Sequence, residues 1–225
     1  MEGKTQHIFS YLLKQLLTNF QRLPWFEIAV DFWKELRKIF RGFADEGMYE
    51  VLEYESSLEI HDRGGKKASF SKRQKIRYLQ NFIIAFEDQA WGDGEILINY
   101  SCLPGTPVDR YRIDYITFIL ISLREVKNRG DSDEFNIKWD IRNGFLRKTE
   151  QWATEVRRRI KHVEVAVIFP EDRPPQRWVI VEKNRQRTIT LGKETQQQLP
   201  DGRWRVTWEK SKPRLHETYI LKWEW

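Results

Sequence analysis

Four residues in the middle of the chain carry side chains suited to hydrolytic chemistry: Asp109, Asp114, Glu125 and Lys127. In a metal-dependent nuclease, carboxylates hold Mg²⁺ through oxygen while a lysine orients or activates the attacking water. Glu125-Val126-Lys127 closes an apolar stretch, with both aspartates upstream. A second group, Arg157, Arg158, Arg159 and Lys161, is cationic and has no obvious acidic complement, so it suits attraction to phosphates. Other reactive residue types lack a supporting pattern. Cys102 has no neighbouring histidine and reads as a small buried residue. His7, His61, His162 and His216 show no metal-ligand spacing, and a zinc site would need ligands converging from separate strands. No metal site and no cofactor are therefore expected. Asp131-Ser132-Asp133-Glu134 lacks the ligand ladder and central glycine of a calcium loop, and Gly92-Asp93-Gly94 lacks the later glycine of a dinucleotide fingerprint.

Between Pro107 and Lys127 the pattern resembles the PD-(D/E)xK nuclease motif, which implies metal-dependent phosphodiester cleavage at Asp109, Asp114, Glu125 and Lys127. It departs from that motif in two places. Val108 separates Pro107 from the aspartate, and no glycine turn divides Asp114 from Glu125. Without a complete catalytic constellation, the expected function is a non-catalytic protein-binding or adaptor module. The alternative is a nucleic-acid-binding protein using Arg157, Arg158, Arg159 and Lys161, with cleavage at the four residues above.

The elements that must position these groups follow from periodicity. Between Gln6 and Phe43, apolar residues recur at helical spacing, first Ile8, Tyr11, Leu12 and Leu16, then Ile28, Phe32, Trp33, Leu36, Ile39 and Phe40. Pro24 cannot continue a helix but suits the first turn of one, so the break falls at Leu23-Pro24. Such a helical annex would offer Trp25, Phe26 and Trp33 to a protein partner. From Tyr49 the period becomes two. Leu52, Tyr54, Ser56, Leu58 and Ile60 share one face, and Glu53, Glu55, Ser57, Glu59 and His61 the other.

After Asp62-Arg63-Gly64-Gly65, a second alternating segment begins at Lys67 and predicts a hairpin whose apolar faces must coincide. Matching Ile60 to Ala68 and Leu58 to Phe70 places Glu55 opposite Arg73 and Glu53 opposite Lys75, giving the basic run acidic cross-strand partners. Ile76, Leu79, Ile83, Phe86 and Ala90 fit a helix as well, which leaves 72–90 open between helix and strand. Ile113 to Leu123, apolar on both faces, predicts a central strand in the middle of the core. Trp152, Ala153, Val156 and Ile160 form a helical stripe, so 149–160 reads as a short helix with cations at its C-terminus. Alternation then returns and ends in Tyr219, Leu221, Trp223 and Trp225, a core strand at the terminus.

The predicted fold class is α+β and mostly β. An N-terminal two-helix hairpin over 1–46 precedes an antiparallel β-sandwich or barrel-like domain over 47–225, with one further short helix. Ten tryptophans and 40% hydrophobic residues exclude a disordered chain. No apolar run approaches the roughly 20 residues of a bilayer-spanning helix. Met1-Glu2-Gly3-Lys4 lacks a secretory layout, and the single cysteine suits a reducing compartment, so a cytoplasmic location is expected. The net charge of +6 speaks to non-specific attraction and solubility, and oligomeric state is not legible.

Overall fold

The computed structural model describes residues 47–225, and the helices predicted for 1–46, with Trp25, Phe26 and Trp33, lie outside them. The regular structure of the described residues is strand except for one short 3-10 turn, Lys193–Thr195. In order it runs β1 (Tyr49–Ile60), β2 (Lys67–Tyr78), β3 (Ile83–Ala90), β4 (Glu95–Leu103), β5 (Thr106–Ile113), β6 (Ile116–Lys127) and β7 (Ser132–Arg142). It continues through β8 (Thr149–Glu155), β9 (Ile160–Phe169), β10 (Arg177–Glu182), β11 (Arg187–Thr190), β12 (Gln196–Gln198), β13 (Trp204–Ser211) and β14 (Thr218–Glu224). A seven-stranded sheet has the order β12-β13-β9-β1-β2-β7-β4. A four-stranded sheet, β11-β10-β14-β8, and a three-stranded sheet, β3-β6-β5, complete the domain.

Both small sheets cover the same face of the large one. Phe70 of β2 meets Trp152 of β8, with ring centroids 4.8 Å apart, while Lys72, two residues along the same strand, is ion-paired to Asp88 of β3. Because side chains two apart share a face, the two covers lie side by side in a sandwich-like arrangement. The β1–β2 register is the expected one: Ile60 pairs with Ala68, Leu58 with Phe70, Glu55 with Arg73 and Glu53 with Lys75. The two-residue period fixes it, since a slip by one residue would bury the glutamates. The opposite face of the hairpin is accordingly a charged ladder, in which Arg73 bonds Glu53, Glu55 and Glu134.

The C-terminal strand buries one whole face. Tyr219, Leu221, Trp223 and Trp225 are all core residues, and β14 sits between β10 and β8. Trp223 and Trp225 pack edge-on against Phe169 of the large sheet, at centroid distances of 5.5 and 5.9 Å. The Trp225 indole N–H donates to the Arg147 carbonyl at 2.8 Å, and the Arg173 guanidinium lies 3.6 Å above its ring.

The α+β expectation is corrected to a nearly all-β fold, because no α-helix occurs among the described residues. Residues 149–160 do not form the predicted short helix. Thr149–Glu155 is β8, and its pairing of Trp152 with Leu221 and Thr154 with Tyr219 completes the four-stranded sheet. Without β8, β14 would expose an unpaired apolar edge, so tertiary pairing overrides a helical stripe only four residues strong. The open segment 72–90 resolves as strands β2 and β3.

The purely antiparallel expectation also fails at one junction, where β1 and β9 run parallel, pairing Tyr54 with Val163 and Leu58 with Val167. Alternation has the same period in both pairings, so the pattern could not separate them. The central apolar stretch is split by a turn at Asp114-Tyr115, and β6 is central to the three-stranded sheet rather than to the large one. No helix among the described residues is long and apolar enough to cross a membrane.

Candidate functional site

The three-stranded sheet carries the features that folding alone does not require. Its inward side holds a buried ion pair. Lys72 belongs to the apolar face of β2, in phase with Phe70 and Ile76, and its ammonium meets the Asp88 carboxylate. The Tyr100 hydroxyl donates to the other Asp88 oxygen at 2.9 Å, and the Gln89 N–H donates to Asp88 at 2.7 Å. Burial alone would depress Lys72, but the adjacent carboxylate more than reverses this and holds it above its ordinary value. Burial pushes the nearby Cys102 thiol up to about 12, which makes it an inert thiol rather than a nucleophile.

Beside this pair, where the three sheets meet, Tyr54, Phe70, Trp91, Trp139 and Trp152 line a recess of about 20 Å³, room for a water-sized guest. The Trp139 indole N–H, buried there, has no protein partner.

The same sheet and the segments leading into it expose apolar side chains, and some of these gather where β3 begins and β6 ends. Ten large hydrophobic residues are exposed among those described, and eight of them fall between Leu79 and Val126: Leu79, Phe82, Ile84, Leu103, Val108, Ile113, Tyr115 and Val126. The pairing of Ile83 with Lys127 brings Ile84 next to Val126, with Phe82 two residues before Ile84, just ahead of β3. Phe82 is 61% exposed and holds φ at +62°. The left-handed region costs a bulky L-residue roughly 1–2 kcal/mol. Across the bulge, Arg124 also takes φ of +62°, and both it and Arg129 are exposed around the apolar group.

The residues of the nuclease reading are separated by the strand that was expected to unite them. Asp109 lies on β5 opposite Leu120, Asp114 lies in the turn before β6, and Glu125 and Lys127 lie at the far end of β6. From Ile116 to Lys127 an extended strand spans roughly 36 Å at about 3.3 Å per residue, so Asp114 and Lys127 share no metal. Lys127 instead pairs with Asp133 at 3.0 Å and Glu125 at 3.4 Å.

The basic cluster acquires partners, one two residues away in sequence and two brought in from β1. Arg157 pairs with Glu155 at 2.9 Å, Arg158 stacks over Tyr49 at 4.4 Å, and Lys161 approaches Glu50 at 4.0 Å.

One constellation was missed altogether. On the charged face of the large sheet, His162 and Glu164 of β9 and Glu209 of β13 bring one ligand atom each within 4.8 Å of one another. The signal was half visible, since His162-Val163-Glu164 alternates in a strand; the third member required knowing that β13 pairs with β9.

No family model matches the chain, and no curated protein does. Among solved structures it is similar to a protein of Parabacteroides distasonis described as a candidate protease, with 9% identity and a TM-score of 0.48. The alignment covers 79% of this chain and 40% of the other, so the chain spans less than half of that protein's length.

Proposed function

We propose that the β domain is a protein-binding module whose contact surface is the end of the three-stranded sheet where β3 begins and β6 ends. The observation that carries this reading is the exposed, left-handed Phe82 set beside Ile84 and Val126. Exposed aromatic anchors of this kind dominate binding energy in protein interfaces. Arg124 and Arg129 at the rim select a partner segment that presents apolar side chains flanked by carboxylates. The buried Lys72–Asp88 pair ties the sheet to its scaffold and holds the surface in one orientation, the role in which a satisfied buried polar network adds specificity rather than stability.

The test uses the full chain. Phe82→Asp with Val126→Asp should leave thermal unfolding within a few degrees of the parent while abolishing capture of the partner. A true partner should also slow amide exchange across 79–84 and 124–127 when added. If the double variant captures the same proteins in the same amounts, or if exchange slows elsewhere only, the surface is not the binding site.

A further inference from the structure

The constellation on the charged face of the large sheet is independent of the apolar surface. His162 and Glu164 point to one side of β9 because they are two residues apart. Glu209 of β13 stands directly opposite Glu164, and its carboxylate lies 3.6 Å from the His162 Nε2. On the other flank of β9, Glu55 of β1 also stands opposite Glu164. Three carboxylates thus occupy one row across three adjacent strands, an arrangement that like-charge repulsion disfavours. The guanidinium groups nearby leave the cluster short of positive charge. Arg73 is shared among Glu53, Glu55 and Glu134, and Arg205 bonds a single oxygen of Glu164 at 2.8 Å. The second oxygen of Glu164 remains for another cation, with Arg205 fixing the carboxylate as outer-shell partners of metal ligands do.

We infer that His162, Glu164 and Glu209 form a binding site for a late first-row divalent cation of the Zn²⁺ class. An imidazole and two carboxylates match the ligand preferences of zinc, whereas Mg²⁺ and Ca²⁺ take oxygen ligands alone. Ligand atoms about 2.1 Å from a common tetrahedral centre lie roughly 3.4 Å apart, so closing from 4.8 Å needs side-chain rotation only. Glu209, 69% exposed, is free to supply it. Three protein ligands leave one position for water or for a side chain of a bound molecule.

Isothermal titration of the full chain with Zn²⁺ tests the site, alongside titrations with Mg²⁺ and Ca²⁺. One Zn²⁺ per chain is expected to bind at this site, with Glu209→Gln and His162→Gln each weakening that event at least tenfold. Because Glu209 is exposed and His162 partly so, both variants should fold, and an unchanged circular dichroism spectrum checks this. Co²⁺ loading should give visible ligand-field bands in the parent that vanish in His162→Gln. Equal Zn²⁺ affinity in parent and variants, or Mg²⁺ binding as tightly as Zn²⁺, would overturn the assignment. A His7→Gln control that abolishes binding while His162→Gln does not would place any zinc elsewhere and overturn it equally.

Discussion

The two small sheets cover the same face of the large one and are built to different specifications. The four-stranded cover is sealed by indoles and phenyl rings: Tyr219 and Trp223 of β14, with Trp225 just beyond it, lock against Phe169 and Trp208. The three-stranded cover stacks Phe86 on Phe135, 4.0 Å between centroids, but spends part of its interface on Lys72 and Asp88. It also leaves strained, apolar residues outside. An interface optimised for stability alone would replace the ion pair by aliphatic packing, which is often neutral or better in buried sites. The difference teaches that the first cover closes the fold, while the second trades some stability for a defined orientation and an accessible surface.

Deleting Leu221 to Trp225 should have the largest effect, because it removes three buried side chains and most of a central strand. At roughly 1.5–3 kcal/mol each, about 5–9 kcal/mol would be lost, comparable to the entire stability of a domain. The truncated chain should show no cooperative melt and no near-ultraviolet dichroism. A parent-like melt would mean that β14 is not the seal.

Asp88→Ala should cost roughly 3–5 kcal/mol in urea unfolding, because it strands a buried ammonium. Replacing both partners, Lys72→Met with Asp88→Leu, should recover most of that loss. If the double replacement is as damaging as the single one, the pair is a stability device and the contrast between the covers collapses.

How much of this was legible depends on what a two-residue period can encode. It fixed the β1–β2 register and the burial of Tyr219 to Trp225, since each strand's own apolar face demanded them. Lys72 was a visible anomaly, a lysine in phase with Phe70 and Ile76, yet its partner lay on a segment that read equally as helix. At 149–160, Trp152, Ala153, Val156 and Ile160 suggested a helix because the deciding neighbour, β14, lies some 65 residues downstream. The same limit hid the parallel β1–β9 pairing and the approach of Glu209 to His162. The charge of Lys161 looked unpaired for the same reason, as Glu50 is more than 100 residues away.

Acid and alkali should probe the two covers separately. Lys72 is held above its ordinary value of 10.5, so its contribution is complete below that pH and disappears as pH climbs through the higher folded value. Tyr49 and Tyr54, pushed up from 10.0 by burial, act in the same direction. In the four-stranded cover, Glu182 is held below 4.5 by its hydrogen bond from Lys210, so its stabilisation is present above that pH and is lost as pH falls. Exchange of amides in β3 and β6 should therefore accelerate first above about pH 10.5, and exchange in β10 and β14 first below about pH 4.5. Simultaneous opening of both covers at either extreme would show that they unfold as one unit.

The smallest effect on stability should come from the residue most exposed in the binding proposal. Phe82 gains little from burial and its left-handed backbone opposes folding, whereas asparagine tolerates that conformation. Phe82→Asn should therefore change unfolding free energy by less than about 1 kcal/mol, with the sign favouring the variant, since relief of strain offsets the lost contacts. Partner capture should fall at the same time, which separates a surface kept for binding from one kept for packing. A loss of more than about 2 kcal/mol in urea unfolding would match the cost of removing a buried ring instead. Phe82 would then belong to the core, and the second cover would differ from the first only in chemistry, not in purpose.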